Sequence, residues 1–168
     1  MKLHSTSATA LYEQHVDMVY RMCLLCLRNA ADAEDAAQTV FLKALQHERR
    51  FRNAEHAKAW LIRTARNQCL DMLKRAGRNR EQPLDDERLS LPAWEDEAQG
   101  REVLRSLLAL PETYKTVLYL YYYEAYSVKA LSRLLGRKQS TIQTQLARGR
   151  ARLKLDLGGN FLEESTHQ

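Results

Sequence analysis

The side chains best suited to chemistry lie near the C-terminal end of the 168-residue chain. Arg137, Lys138, Ser140, Thr141, Gln143, Thr144 and Arg148 fall in one short stretch, with Arg150, Arg152 and Lys154 after them. Small hydroxyl and amide groups near the start of a helix can reach base edges in a major groove, while flanking cations meet phosphates. A second set, Arg63, Arg66, Asn67 and Lys74, followed by Arg75, Arg78 and Arg80, forms a basic stripe at helical spacing. Such a stripe grips a phosphate backbone without regard to sequence. Asn67 stands out there, because helix stability does not ask for asparagine on an exposed face. Other chemistries lack their residues. The sequence has no glycine-rich phosphate loop, no nucleophile beside a base and no ligand cluster, and its histidines are scattered at 4, 15, 47, 56 and 167. Cys23 and Cys26 form a C-x-x-C inside an apolar run, where a buried helix face accounts for them. No metal, cofactor or enzymatic activity is expected.

These side chains must be carried by helices. Apolar residues recur at helical spacing almost throughout, and no segment alternates with period two for long. The spacing predicts a first helix with Tyr12, Val16, Val19, Cys23 and Leu27 on one face, then a turn at residues 28–31. Asp32 is suited to cap a second helix with Ala37, Val40, Phe41, Ala44 and Leu45 inward. A third should run from about Asn53 to Arg75, burying Leu61, Ala65, Cys69, Met72 and Leu73 beneath the basic stripe. Trp60, among apolar helix positions, reads first as core. Further on, Val103, Leu104, Leu107 and Leu108 make a short helix, and Pro111 fits the first turn of the next, which carries Val117, Leu118 and Tyr121 inward. Four tyrosines between 119 and 123 suit packing better than base stacking. Ser127 can cap a helix with Val128, Leu131 and Leu135 inward, Gly136 permits a tight exit, and a second helix from Gln139 buries Ile142, Leu146, Gly149 and Leu153. Helix, glycine-containing turn and helix make a helix-turn-helix.

Charge divides the chain in the same way. Residues 1–80 carry +6 and residues 99–155 carry +8, while residues 81–98 carry −6 and contain Pro83 and Pro92. That pattern reads as two basic domains on an acidic tether. The expected architecture is all-α: two small helical domains, 1–80 and 99–157, joined by an acidic linker at 81–98, the second containing the helix-turn-helix, with a disordered tail at 158–168. No apolar run approaches the ~20 residues that span a bilayer, and the N-terminus has no signal-like core, so a cytoplasmic protein without membrane insertion is expected.

At this point the motifs resemble those of extracytoplasmic-function sigma factors. Asp32 to Ala44 (DAEDAAQTVFLKA) is similar to their polymerase-binding helix. Phe51-Arg52, Ala59 to Asn67 and Leu70 to Arg75 resemble their promoter-melting and −10-reading segment. Leu110-Pro111-Glu112, Leu134-Leu135-Gly136 and Thr141 to Arg150 resemble their −35-reading helix-turn-helix. The likeness covers about residues 8–155 in order. It implies a first domain that engages the clamp of the β′ subunit of core RNA polymerase through Asp35, Gln38, Thr39, Phe41 and Lys43. It implies −10 contacts from Arg63, Arg66, Asn67, Lys74 and Arg75, with Trp60 and Phe51 suited to an unstacked strand. Duplex −35 DNA would fall to Arg137, Lys138, Ser140, Thr141, Gln143, Thr144 and Arg148. Promoter DNA and core polymerase are thus the implied partners, with an anti-sigma factor a further one. The chain departs from the family pattern at Thr39, commonly acidic, at Lys138, commonly a capping serine, and at Ala130, often a glutamate that would complete a capping box with Ser127. The helix-turn-helix alone also suits a regulator that reads DNA without being a polymerase subunit.

Overall fold

The computed structural model describes residues 8–47, 51–77 and 105–157, the last four of these by backbone alone. Among the described residues every regular element is helical. The chain divides into two compact units, Met1–Leu89 and Ser90–Gln168. The expected linker at 81–98 and tail at 158–168, together with Arg78, Arg80, Val103 and Leu104, lie outside the described residues.

The first unit is built on α1 (Ala8–Leu27), which packs against both α2 (Ala30–Gln46) and α3 (Ala54–Ala76). A helix with two neighbours needs more than one apolar stripe, and α1 buries Leu11, Met18, Val19, Met22, Cys23, Leu24, Leu25 and Leu27. Two residues expected inward are not. Val16 is half-buried, and Tyr12, near the open end of α1, is 50% exposed with its ring edge-on to Phe41 at 5.1 Å. Arg28 ends the helix in the left-handed region at φ 58°, its N–H bonded to the Leu24 carbonyl.

The cap of α2 is Asn29 rather than Asp32. Asn29 is extended (φ −145°, ψ 125°), and its Oδ1 accepts from the Asp32 N–H at 3.0 Å. Asp32 instead stands in the first turn, where its negative charge favours the positive end of the helix dipole. α2 buries Ala33, Ala36, Ala37, Val40, Phe41 and Ala44. The small alanines let its backbone lie close to α1 and α3. Leu45, expected inward, lies about 100° round the helix from Ala44, and is 64% exposed.

α3 starts and stops close to the expected bounds because both ends carry local signals. Asn53 Oδ1 accepts from the His56 N–H at 2.8 Å, and Gly77 closes the helix at φ 54°, a conformation that costs a residue with Cβ more. Ala57, Leu61, Ile62, Ala65 and Cys69 are buried. Met72 and Leu73 are half-buried rather than buried; both lie in the last turns of this 23-residue helix, which is longer than the 17-residue α2 on which it packs.

In the second unit, helical residues 105–109 set Leu107 and Leu108 inside, with Leu110 after them. Pro111 stands one position outside the helix that follows rather than in its first turn: at φ −54° and ψ 145° it is the N-cap, its carbonyl accepting from the Tyr114 and Lys115 N–H groups. α4 (Glu112–Leu118) then widens into a single π turn, Tyr119–Tyr123, closed by the Glu124 N–H on the Tyr119 carbonyl. The wide turn places Tyr119 and Leu120 in the core and leaves Tyr121, expected inward, half-buried. Tyr119 donates its hydroxyl to Glu124 at 2.8 Å and stacks on Tyr123, so packing accounts for this tyrosine run.

The helix-turn-helix follows. α5 (Val128–Leu135) is capped by Ser127, whose Oγ accepts from the Ala130 N–H at 3.0 Å, and it ends at Gly136 with φ 64°. Leu131 and Leu134 are its fully buried residues, with Val128 and Leu135 half-buried beside them. Ser132 locks the turn: its Oγ donates to the Arg137 carbonyl, and its own carbonyl accepts the Arg137 N–H. α6 (Gln139–Leu157) packs on both α4 and α5, and Ile142, Leu146, Gly149 and Leu153 are buried as their spacing requires. Leu146 is 3% exposed, so Leu146→Ala should cost about 2–5 kcal/mol through lost burial and a cavity; denaturant unfolding of the full chain would measure it.

Candidate nucleic-acid interface

The recognition helix α6 opens on Lys138, whose carbonyl accepts the Ile142 N–H at 3.0 Å and so makes it the N-cap residue. A lysine side chain has no oxygen with which to receive an orphan N–H. The missing acceptor leaves first-turn donors and a cation together at this end of the helix. Ser140, Thr141, Gln143, Thr144 and Arg148 are all exposed, on the side opposite Ile142, Leu146 and Leu153. Thr144 Oγ1 donates to the Ser140 carbonyl at 3.0 Å, which leaves its lone pairs outward. Arg137 is only half-exposed, and its guanidinium donates to Gln145 Oε1 at 2.9 Å. Arg137 thus braces the helix-turn-helix from within, whereas Lys138 extends from it.

In the first unit, the exposed face of α3 holds Arg63, Asn67 and Lys74 within about 40° of one another around the axis. Arg66 stands at one edge of that face and is half-buried, and Arg75 stands at the other edge, exposed. At the N-terminal end of the same face four rings meet. His47 lies 5.1 Å from Phe51 and 4.8 Å from Trp60, Phe51 lies 5.5 Å from Trp60, and His56 meets Phe51 edge-on at 5.6 Å. The Arg52 N–H donates to His56 Nδ1 at 3.2 Å and ties the loop to the helix. Trp60 is half-buried here, so it is neither plain core nor free platform. The two histidines were not expected in this cluster; their positions just after α2 and in the first turn of α3 were the available signal.

On α2, Asp35 and Gln38 are exposed and Thr39 half-exposed, its hydroxyl donating to the Asp35 carbonyl at 3.0 Å. Two other residues grouped with them are used inside the unit. Phe41 is buried against Tyr12, and Lys43 Nζ donates to Gln68 Oε1 on α3 at 2.9 Å. The outer face instead shows Leu42 at 57% and Leu45 at 64% exposure, four and seven residues beyond Gln38. That spacing marks a common face and was the signal for them in the sequence. Among the described residues no group of acidic, histidine and cysteine side chains is arranged to hold a metal, and no helix is long and apolar enough to cross a membrane.

Comparison with known proteins gives one consistent result. The Sigma-70 region 2 family matches residues 11–79, and the Sigma-70 region 4 family matches residues 100–153. The chain is 32% identical over 151 residues to the ECF RNA polymerase sigma factor SigM of Mycobacterium tuberculosis, covering 88% of this chain and 76% of the relative. It is 26% identical over 151 residues to the ECF RNA polymerase sigma factor SigM of Bacillus subtilis, covering 86% and 91%. Among solved structures, the sigma factor RpoE of Bartonella quintana, determined in complex with the anti-sigma factor NepR, matches with a TM-score of 0.73 and 18% identity over 93% of this chain and 99% of that one. Two sigma regions in their proper order, a relative alike over most of both chains and a shared helical fold make this chain a member of the ECF RNA polymerase sigma factor family.

Proposed function

We propose that this sigma factor joins core RNA polymerase through the outer face of α2, opens and reads the −10 region with the exposed face of α3, and reads the −35 duplex with α6. The observation that carries this assignment is the division of labour on each helix. Packed residues and exposed polar residues occupy opposite faces of α2, α3 and α6, so each helix can present a surface without disturbing its core. On α2, Asp35 and Gln38 flank Leu42, a polar rim around an apolar centre of the kind that anchors protein interfaces. On α3, the basic face runs up to the His47, Phe51 and Trp60 rings, which suit an unstacked base beside a gripped backbone.

The domain assignment belongs to the same proposal: residues 1–80 for polymerase and −10 DNA, 99–157 for −35 DNA, and 81–98 as an acidic tether that phosphates repel. The protein acts in the cytoplasm, alongside polymerase, as an initiation factor rather than an enzyme. A regulatory partner of the anti-sigma kind, as in the solved neighbour, would act by covering these faces. Transcription from a promoter library by core polymerase with and without the chain tests the whole reading; a palindromic footprint without polymerase would replace it with an ordinary regulator.

Variants separate the three surfaces. Asp35→Arg or Leu42→Arg should weaken binding to core polymerase by about thirtyfold or more, the loss expected at an interface anchor, with unchanged melting temperature because both residues are exposed. Asn67→Ala should change base preference in the −10 element, read by open-complex yield on single-base promoter variants, while Arg63→Ala should weaken binding to most sequences and reduce its salt dependence. Gln143→Ala should leave thermal stability and polymerase binding intact but shift preference within the −35 element by about 1–3 kcal/mol, the worth of one good base contact.

A further inference from the structure

Beside the DNA-reading face of α6 lies an open groove of about 300 Å³, formed with the start of α4. Thr113 and Tyr114 make one wall, and Thr141, Gln145 and Arg148 the other, with Ser140 and Thr144 at the rim shared with the reading face. Its walls are made of donors. Thr113 and Thr141 offer hydroxyls, Arg148 offers a guanidinium, and all three are exposed. Gln145 could present either end of its amide, but its Oε1 is already held by Arg137 at 2.9 Å, so the NH₂ group is the end left to donate. No carboxylate lines the groove: Glu112, the nearest acidic residue in sequence, accepts from Thr116 Oγ1 on its own helix. The Tyr114 ring is occupied by Arg152, 5.0 Å above it, which leaves a second cation near the same wall.

A site of hydroxyl, amide and guanidinium donors with no acceptor charge fits a phosphate oxygen rather than a base edge, since every base edge carries acceptors and most carry donors that also need partners. We propose that this groove holds one backbone phosphate of the −35 duplex, with Thr113 and Gln145 as contacts additional to the recognition face. The inference rests on the assignment of α6 to −35 DNA. It adds a contact from α4, outside the helix-turn-helix, and gives Arg137 a role as a positioning residue that sets the Gln145 amide. With Gln143 and Ser140 facing the bases, a strand held at this groove fixes how far the helix turns about its own axis, and so which bases those side chains meet. The contact itself reads no sequence.

The test uses holoenzyme assembled from core polymerase and the full chain, bound to a −35-dependent promoter in which single phosphates are replaced by neutral methylphosphonates. One such replacement should weaken wild-type binding by about three- to tenfold, the range for a lost hydrogen bond to a charged group. Thr113→Val with Gln145→Leu should weaken binding to the unmodified promoter by a similar factor and be insensitive to that same replacement. Thr113→Ser, which keeps the hydroxyl, should behave as wild type, and melting curves of each variant show that the fold is intact. Wild-type affinity in the folded double variant, or an undiminished methylphosphonate penalty at every position, would overturn the proposal. Wild-type holoenzyme indifferent to −35 base changes would instead remove the reading of α6 on which it rests.

Discussion

The second unit depends on how closely α4 and α6 approach each other, and that is set at Gly149. A Cβ placed there would lie 2.8 Å from Leu118 Cδ1 and 3.3 Å from Tyr114 Cβ, inside normal van der Waals contact. The absence of a side chain lets the two helices cross almost backbone to backbone, with Leu118 filling the space a larger residue would take. Everything exposed on α6 inherits its position from this crossing. Ile142, Leu146 and Leu153 hold the same face inward, so Ser140, Gln143 and Thr144 are turned outward by packing and not by any local preference of their own. Polar links add direction rather than much energy. Arg150 reaches the Tyr122 hydroxyl at 3.0 Å and Ser132 closes the turn, each fixing a segment that the apolar contacts already bring together.

The first unit solves the same problem with a different material. There α1 is the apolar ridge, and α2 meets it with Ala33, Ala36, Ala37 and Ala44. Alanines contribute little area, so cohesion comes from the larger side chains of α1 and from Leu61 and Ile62 of α3. The advantage is a helix that can be almost bare on its outer side. Leu42 and Leu45 stay exposed without unsettling the core, as an intermolecular surface requires.

How much of this was legible in the sequence follows from the range of each interaction. Helix bounds were readable wherever a side chain or glycine acts on its own neighbours, as at Asn53, Ser127 and Gly136. Asn29 was missed for Asp32 because both have an acceptor at a helix start, and only the backbone angles decide which one caps. The inward face of α6 was legible because it keeps a strict helical period. Tyr121 was misassigned because the π turn breaks that period, and nothing local in four tyrosines announces it. Tyr12 and Leu45 fit the apolar pattern but lie at the margin of the packed face, where burial depends on how far a neighbour reaches. The basic and amide residues on α3 and α6 were found from type and spacing. Convergence between elements, as of His47 with Trp60 or Thr113 with Gln145, is a property of the tertiary structure alone.

The π turn at Tyr119–Tyr123 also bears on chain length. A π turn is an ordinary helical segment with one residue too many, so a homologous chain with one residue fewer could run through this stretch as unbroken α-helix. The two versions would differ by about 100° in phase and 1.5 Å in rise. Every residue after the deletion would therefore leave α4 pointing a different way, and the segment leading into α5 would have to be rebuilt. Insertions and deletions elsewhere in a loop are absorbed locally, whereas a single one here would re-aim the whole DNA-reading half of the unit. Alignments of related chains across this pentad thus carry geometric information that their residue identities do not.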